Sequence, residues 1–416
     1  GHNGINLICS HTLIEYNDIS HTLDFINTRG GFNIIRNNHL HDFRNTDFPN
    51  GSGDAAHVDI WQPFGVPDGL SNHNVFEYNW AADNIERNSH FNQIRDATRP
   101  PSGEREFIIR GNVTLRMGSY AAQFGAIDNV HMYNNTFVDL CCVDPEGRKG
   151  WVTIRFNAEA GDPSTGNYVY NTIFYAVSRA LGGRIFHVGD GCTAELSHNA
   201  CEKSGGHPSC VITSGIRFAD YAADDVRLSA GSQAIDAGRP MAAVTSETGQ
   251  GRVFSVTESG FFTDGFGIAE GDAINVGATD PRLITGIDHG SNRITVHSPI
   301  SWRRGDPVTL SYQDSRPDIG AFEYRVDHSY TIELNAPFAG AAGYLQLSAR
   351  VANPENVRFV EFYADNVPVG KASAEPFMVR WQPATPGKFY QLRATAYSRF
   401  ASRRLSRSAT IDSYRP

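Results

Sequence analysis

Seven short segments of this chain end in asparagine: TLIEYN at Asn17, NIIRNN at Asn38, NVFEYN at Asn79, FIIRGN at Asn112, NVHMYN at Asn134, GNYVYN at Asn171 and AELSHN at Asn199. Their spacings of 21, 41, 33, 22, 37 and 28 residues fit coils of about twenty residues, some with long excursions and one, between Asn38 and Asn79, lacking the motif. Recurrence at such a period marks a solenoid, in which each repeat buries its apolar face only by stacking on the next. The segments are five or six residues long, alternate apolar with polar and stop at a turn former. That is the pattern of short strands, not of a helix with its roughly 3.6-residue period.

A second set of short strands falls between them: LDFINT (23–28), HVDIWQ (57–62), HFNQIR (90–95), YAAQFG (120–125), WVTIRF (151–156) and RIFHVG (184–189). Each coil therefore contributes a strand to each of at least two parallel sheets. Asn at a repeated turn hydrogen-bonds the turns above and below, and it tolerates the left-handed backbone of a sharp corner. Composition divides the chain in the same place: residues 1–200 hold 23 Asn and 11 of the 15 His, and residues 201–416 hold 6 Asn and 4 His.

These repeats resemble the right-handed parallel β-helix proteins, the group that includes pectate lyase-like polysaccharide lyases and uronan epimerases. The strings GSQAIDAG (231–238) and PDIGAFEY (317–324) are similar to the closing segments of bacterial β-helix repeats. Residues 241–316, with Gly-Asp turns joining alternating strands, read as an inserted β-module. After residues 317–327, a closing strand and linker, the segment 328–416 shows six or seven alternating strands separated by Pro and Gly. It resembles the bacterial Ig-like β-sandwich modules of secreted carbohydrate enzymes and adhesins. The fold class expected is all-β: a right-handed parallel β-helix solenoid (1–240), a small inserted β-module and a C-terminal Ig-like β-sandwich. The resemblance implies an extracellular or cell-surface bacterial protein, although the first residues lack the basic start and apolar middle of a signal peptide.

A formal charge of -9 gives no basic stripe for nucleic acid, and no apolar run is long enough to span a membrane. The six Cys show no CxxC pairing for a structural zinc, and no dense carboxylate cluster forms an evident calcium cage, so no cofactor or metal is assigned. Cys201 and Cys210 are as suited to a loop disulfide as to buried free thiols.

The strongest local constellation is GDAAHVDIWQPFG (53–65), where alternation places His57, Asp59 and Trp61 on one face and Val58, Ile60 and Gln62 on the other. One coil on, His90 and Asn92 are expected beside His57 and Asp59, with Gln93 and Arg95 beside Gln62. Tyr120, Gln123 and Arg155 continue the stack, a polar, aromatic-rimmed strip suited to an extended sugar chain. β-Elimination from a uronate polymer needs a base for the C5 proton, a donor for the carboxylate and an acid for the leaving oxygen. His57 or His90 fits the first role, Arg95 or Arg155 the second and Tyr120 the third, and Asp59, on the same face as His57, is counted with them as catalytic. Trp61, Gln62, Gln93, Gln123 and Arg155 are the expected substrate contacts. The strip is short of the paired carboxylates that inverting hydrolysis requires. The partner expected is an acidic polysaccharide. The alternative is a non-catalytic structural or adhesin protein that self-associates through the open solenoid end and the basic last third of the sandwich, with Arg380, Lys388, Arg393 and Arg407 among its cations.

Overall fold

The computed structural model describes residues 3–43, 58–63, 71–85, 89–95, 105–140, 153–159, 161–177, 185–312, 315–324, 331–339, 344–354, 357–385, 388–398 and 406–414. The Asn-ended segments are strands that stack in parallel from coil to coil, as the repeat predicts. Among the described residues the solenoid has three parallel sheets, of seven, seven and eight strands. The first holds the second set of segments, from Ile5–Ile8 to Phe186–Val188, and the second holds the Asn-ended set, from Leu13–Glu15 to Ala194–Ser197. The third runs from Asp18–Ser20 to Cys210–Ile212 and starts immediately after the Asn turn. Most of its strands are three residues long, too short to display alternation, which is why sequence periodicity does not reveal it. The architecture is a parallel β-helix.

Two details correct the sequence reading. No coil is skipped between Asn38 and Asn79: Ile34–Arg36 pairs directly with Val75–Glu77, so the 41-residue interval is one coil with a long excursion. The ladder position is also one residue later than expected in two coils. Asn17, Asn38, Asn79, Asn112 and Asn135 form the ladder: from Asn38 onward each accepts at its side-chain oxygen from the backbone N–H of the preceding coil's Asn, at 2.9–3.1 Å. Asn134 and Asn171 instead occupy the left-handed corner just before it, with φ of 49° and 47°, a position held elsewhere by Tyr16, Asn37, Tyr78, Gly111 and His198. Two adjacent residues share the tasks assigned to one: the first bends the corner and the second joins the coils.

Inward rows fill the solenoid with stacked side chains. Ile14, Ile35, Phe76, Ile109, Met132 and Val169 stand in register along the second sheet and are buried. Phe137 and Phe174 stack at 5.6 Å from the third sheet, and Phe124 and Phe156 at 5.1 Å from the first. Each such ring contributes on the order of 1.5–3 kcal/mol of burial. Cys201 and Cys210 form a disulfide across the last two strands of the third sheet, and Cys9 and Cys192 are free thiols.

The inserted module is a six-stranded antiparallel sheet running from Ala242–Ala243 to Arg293–Trp302 and Pro307–Leu310 in sequence. It covers the outward face of the second sheet. There Ile34, Val75, Ile108, Tyr133 and Tyr170 share one apolar cluster with Phe254, Phe261, Phe262, Ile274 and Ile294. The strings 231–238 and 317–324 pair with each other through Ile319 N–H to Ala234 O and Gly238 N–H to Pro317 O. Gly320 N–H donates to Asn171 O, and Gly320 has φ of 118° and lies where a Cβ would meet Ile173 Cδ1 at 2.6 Å, so only glycine fits this contact.

The chain divides into two compact units, residues 1–217 with 228–324, and residues 218–227 with 325–416. In the second, a three-stranded sheet (Thr331–Ala339, Leu345–Ala352, Phe377–Trp381) and a four-stranded sheet (Val367–Ala372, Val357–Ala364, Tyr390–Ser398, Ser406–Tyr414), both antiparallel, enclose a shared core of Leu347, Val360, Phe362, Phe377 and Leu392. Among the described residues no helix is long and apolar enough to cross a membrane.

Candidate functional site

The first sheet brings several of the expected site residues together. Val58–Pro63 pairs with Ser89–Arg95 so that His90 lies opposite Asp59 and Asn92 opposite Trp61, two residues from the expected register, which set His90 beside His57. His90 Nδ1 lies 3.2 Å from Asp59 Oδ1, and the His90 ring stacks on Tyr120 with centroids 4.0 Å apart. The Tyr120 hydroxyl donates to Gln123 Oε1 at 2.9 Å, and the Arg155 guanidinium sits 5.6 Å from the Tyr120 ring centroid. Gln123 and Arg155 are also register partners, and Arg155 is followed by His187 in the next strand. One chain of touching side chains thus runs Asp59, His90, Tyr120, Gln123, with Arg155 against the phenol.

Exposure grades along this chain. Asp59, His90 and Tyr120 are 0%, 2% and 3% exposed, whereas Gln123 and Arg155 are half-buried and His187 faces solvent. A neutral imidazole that donates Nδ1–H to Asp59 carries its lone pair on Nε2, and that nitrogen is buried.

Trp61 does not belong to this strip. Its ring is fully buried, stacks on Phe76 at 4.9 Å and donates from Nε1 to Thr28 Oγ1 at 3.0 Å, so it is a core residue and offers no face to a sugar. Val58, Ile60 and Trp61 all lie in the core cluster, so the strict alternation expected for this strand breaks between Ile60 and Trp61. Gln62 is half-buried opposite Asn27. His57 lies outside the described residues, as do the side chains of Gln93 and Arg95; the Gln93 backbone pairs with Gln123.

Sequence reading misses a second polar cavity altogether. A cleft of about 450 Å³ opens between the second sheet and the inserted module, lined by Tyr168, Tyr170, Glu195, Arg239, Glu258 and Phe261 among others. Arg239 Nη1 meets Glu195 Oε1 at 2.8 Å and its guanidinium lies 4.2 Å from the Tyr170 centroid. The Tyr168 hydroxyl donates to Glu258 Oε2 at 3.3 Å, and His131 stacks on Tyr168 at 4.9 Å with Nε2 3.5 Å from Glu258 Oε1. Burial, then the adjacent Glu258 charge and hydrogen bond, push the Tyr168 phenol up to about 12. Tyr168 of the solenoid and Glu258 of the insert are 90 residues apart in sequence and meet where the insert docks.

Burial alone would raise Glu258, but His131, the Gly260 N–H and the Tyr168 hydroxyl outweigh it and hold the carboxyl below its ordinary 4.5. A carboxylate depressed by folding stabilises the native state above its unfolded value, and that contribution is lost as pH falls through the folded one. Wild type is therefore expected to exceed Glu258→Gln in thermal midpoint at pH 7, with the gap closing below pH 4.5. A gap unchanged between pH 7 and pH 3 in paired melts would show that these contacts do not favour the ionised form.

No protein-family model matches this chain, and no curated protein is significantly similar to it in sequence.

Proposed function

We propose that this protein binds an acidic polysaccharide along the first sheet and processes it by abstraction of the C5 proton of a uronate unit. The observation that carries this reading is the contact chain from Asp59 through His90 and Tyr120 to Gln123, with Arg155 at its half-exposed end. Arg155 pairs with the uronate carboxylate and draws charge from the developing enolate. His90, oriented by Asp59, takes the proton on Nε2. The electron pair forms the C4–C5 double bond, the C4–O bond breaks, and the Tyr120 hydroxyl protonates the departing oxygen. Return of a proton to the opposite face of C5 gives epimerisation instead. The protein acts outside the cell or on its surface, and the two-sheet C-terminal unit serves as an Ig-like spacer or attachment module.

A second reading draws on the near-complete burial of Asp59, His90 and Tyr120, which equally suits a stacked polar ladder in a non-catalytic surface or filament protein. Absorbance at the unsaturated-uronate band during incubation with alginates, pectates and glycosaminoglycans separates the two. The expected result is a rise that falls about a hundredfold or more in His90→Ala and in Tyr120→Phe. Silence across the panel, with proton exchange at C5 also absent and large assemblies on size exclusion, would transfer the reading to the structural alternative.

A further inference from the structure

The third sheet carries a cluster of chemistry that neither reading uses. Asp18–Ser20 and His39–His41 are its first two strands, with Asp18 opposite His39 and Ser20 opposite His41. Residues two apart on a strand point the same way, so His39 and His41 project together toward the Asp18 carboxylate. His39 Nδ1 lies 3.3 Å from Asp18 Oδ2, and His41 Nε2 lies 2.8 Å from Asp18 Oδ1. The two imidazoles stack with centroids 3.9 Å apart, and His39 is 4% exposed. One donor atom from each of the three residues falls within a sphere where every pair is no more than 4.8 Å apart.

We propose that Asp18, His39 and His41 form a binding site for a divalent transition-metal ion of the zinc class. Around a tetrahedral ion with bonds of about 2.0 Å, neighbouring donors stand about 3.3 Å apart. Both Asp18 contacts already lie near that spacing, so a metal enters by a small opening of the cluster, with no rearrangement of the strands. The remaining nitrogen of His41, Nδ1, lies 2.6 Å from Asp42 Oδ2, the carboxylate–histidine arrangement that fixes a ligand's tautomer and orientation. In the next coil the buried Trp80 lies opposite His39 and the small, buried Ala82 opposite His41, which keeps that side of the cluster dry.

Two nitrogens and one carboxylate select zinc, nickel, cobalt or copper over calcium and magnesium, which take oxygen donors. Three protein donors leave a fourth position for water or a ligand oxygen. Because the ligands come from adjacent coils, the ion also fastens one coil to the next.

The test uses the full chain, stripped of metal by dialysis against chelator and titrated with ZnCl2 in competition with a chromophoric chelator. One zinc per chain is expected, with affinity reduced about a hundredfold or more in His41→Gln and in Asp18→Asn, and about 10- to 100-fold in Asp42→Asn. Calcium and magnesium chloride should not compete. X-ray absorption of the zinc-loaded wild type gives a readout that does not depend on variants folding: two imidazole nitrogens at about 2.0 Å with oxygen completing the shell. A sulfur in that shell, pointing to a cysteine elsewhere in the chain, would overturn the assignment, as would zinc binding unchanged in both His41→Gln and Asp18→Asn, or no stoichiometric binding at all.

Discussion

Replacing Asn79 with alanine is expected to lower the stability of the solenoid by about 4 kcal/mol, near the upper end for a single substitution. Asn79 is 1% exposed, and its side-chain oxygen accepts from the Asn38 backbone N–H at 3.0 Å and from Asn38 Nδ2 at 2.9 Å. Its own Nδ2 donates to Ile35 O at 3.0 Å and to Asn112 Oδ1 at 3.1 Å. Alanine strands several of these groups where water does not reach, and each buried unsatisfied group costs about 1–3 kcal/mol. Asn17, the first member of the same ladder, is half-buried and serves as a donor to Asn38, so Asn17→Ala should cost only about 1 kcal/mol. Urea unfolding of both variants checks the gradient. Equal costs at Asn17 and Asn79 would mean that the ladder does not hold the coils together.

The second large effect is expected at Arg110. This guanidinium is 2% exposed and joins Glu77 from the same sheet to Asp272 of the inserted module, with Nη1 and Nη2 at 2.7 and 2.6 Å from the two Asp272 oxygens and Nε at 2.8 Å from Glu77 Oε2. It also donates to the Tyr133 hydroxyl at 2.8 Å, and that hydroxyl in turn donates to Phe261 O of the module. Burial alone would lower its pKa, but Asp272, Tyr133 and Glu77 raise it well above the ordinary value, so the cation persists at any working pH. Arg110→Ala leaves the part-buried Asp272 carboxylate without its guanidinium and Glu77 with only Arg36 Nη1 at 3.9 Å, which costs about 3–5 kcal/mol. Lysine cannot restore the forked contact to Asp272, so Arg110→Lys should recover only part of the loss. The module should then release the apolar face of Val75 and Ile108, seen as dye binding or proteolysis within 241–316 before global unfolding. Unfolding that stays a single transition with unchanged midpoint would contradict a docking role for Arg110.

The solenoid is legible in the sequence because its strongest signal is local. A short strand followed by Asn can be read one coil at a time, and the inward rows through Ile35, Phe76 and Ile109 follow from alternation. The ladder position is misread at Asn134 and Asn171 because each is followed at once by another polar residue, Asn135 and Thr172, and composition does not say which one bends and which one bonds. Trp61 is misplaced because alternation is assumed to continue through a strand that breaks it. Arg110 and Asp272 are 162 residues apart, and neither flank announces the other. The Asp59, His90, Tyr120 and Gln123 chain is within reach because stacking by coil period brings the right strands together, and a register two residues off keeps the same face. The cleft at Tyr168 and Glu258 was out of reach, since nothing local to the insert shows which face of the solenoid it covers.

The most direct measurement of the proposed function is calorimetric titration of a purified oligouronate into wild type, Arg155→Ala and Tyr168→Ala. A charge-assisted contact to the uronate carboxylate is worth about 1.5–3 kcal/mol, or roughly 10- to 150-fold in affinity. Binding weakened by that factor in Arg155→Ala and unchanged in Tyr168→Ala is the predicted result. Binding lost in Tyr168→Ala and kept in Arg155→Ala would move the glycan to the cleft beside the inserted module, and no binding by wild type would contradict the proposal outright.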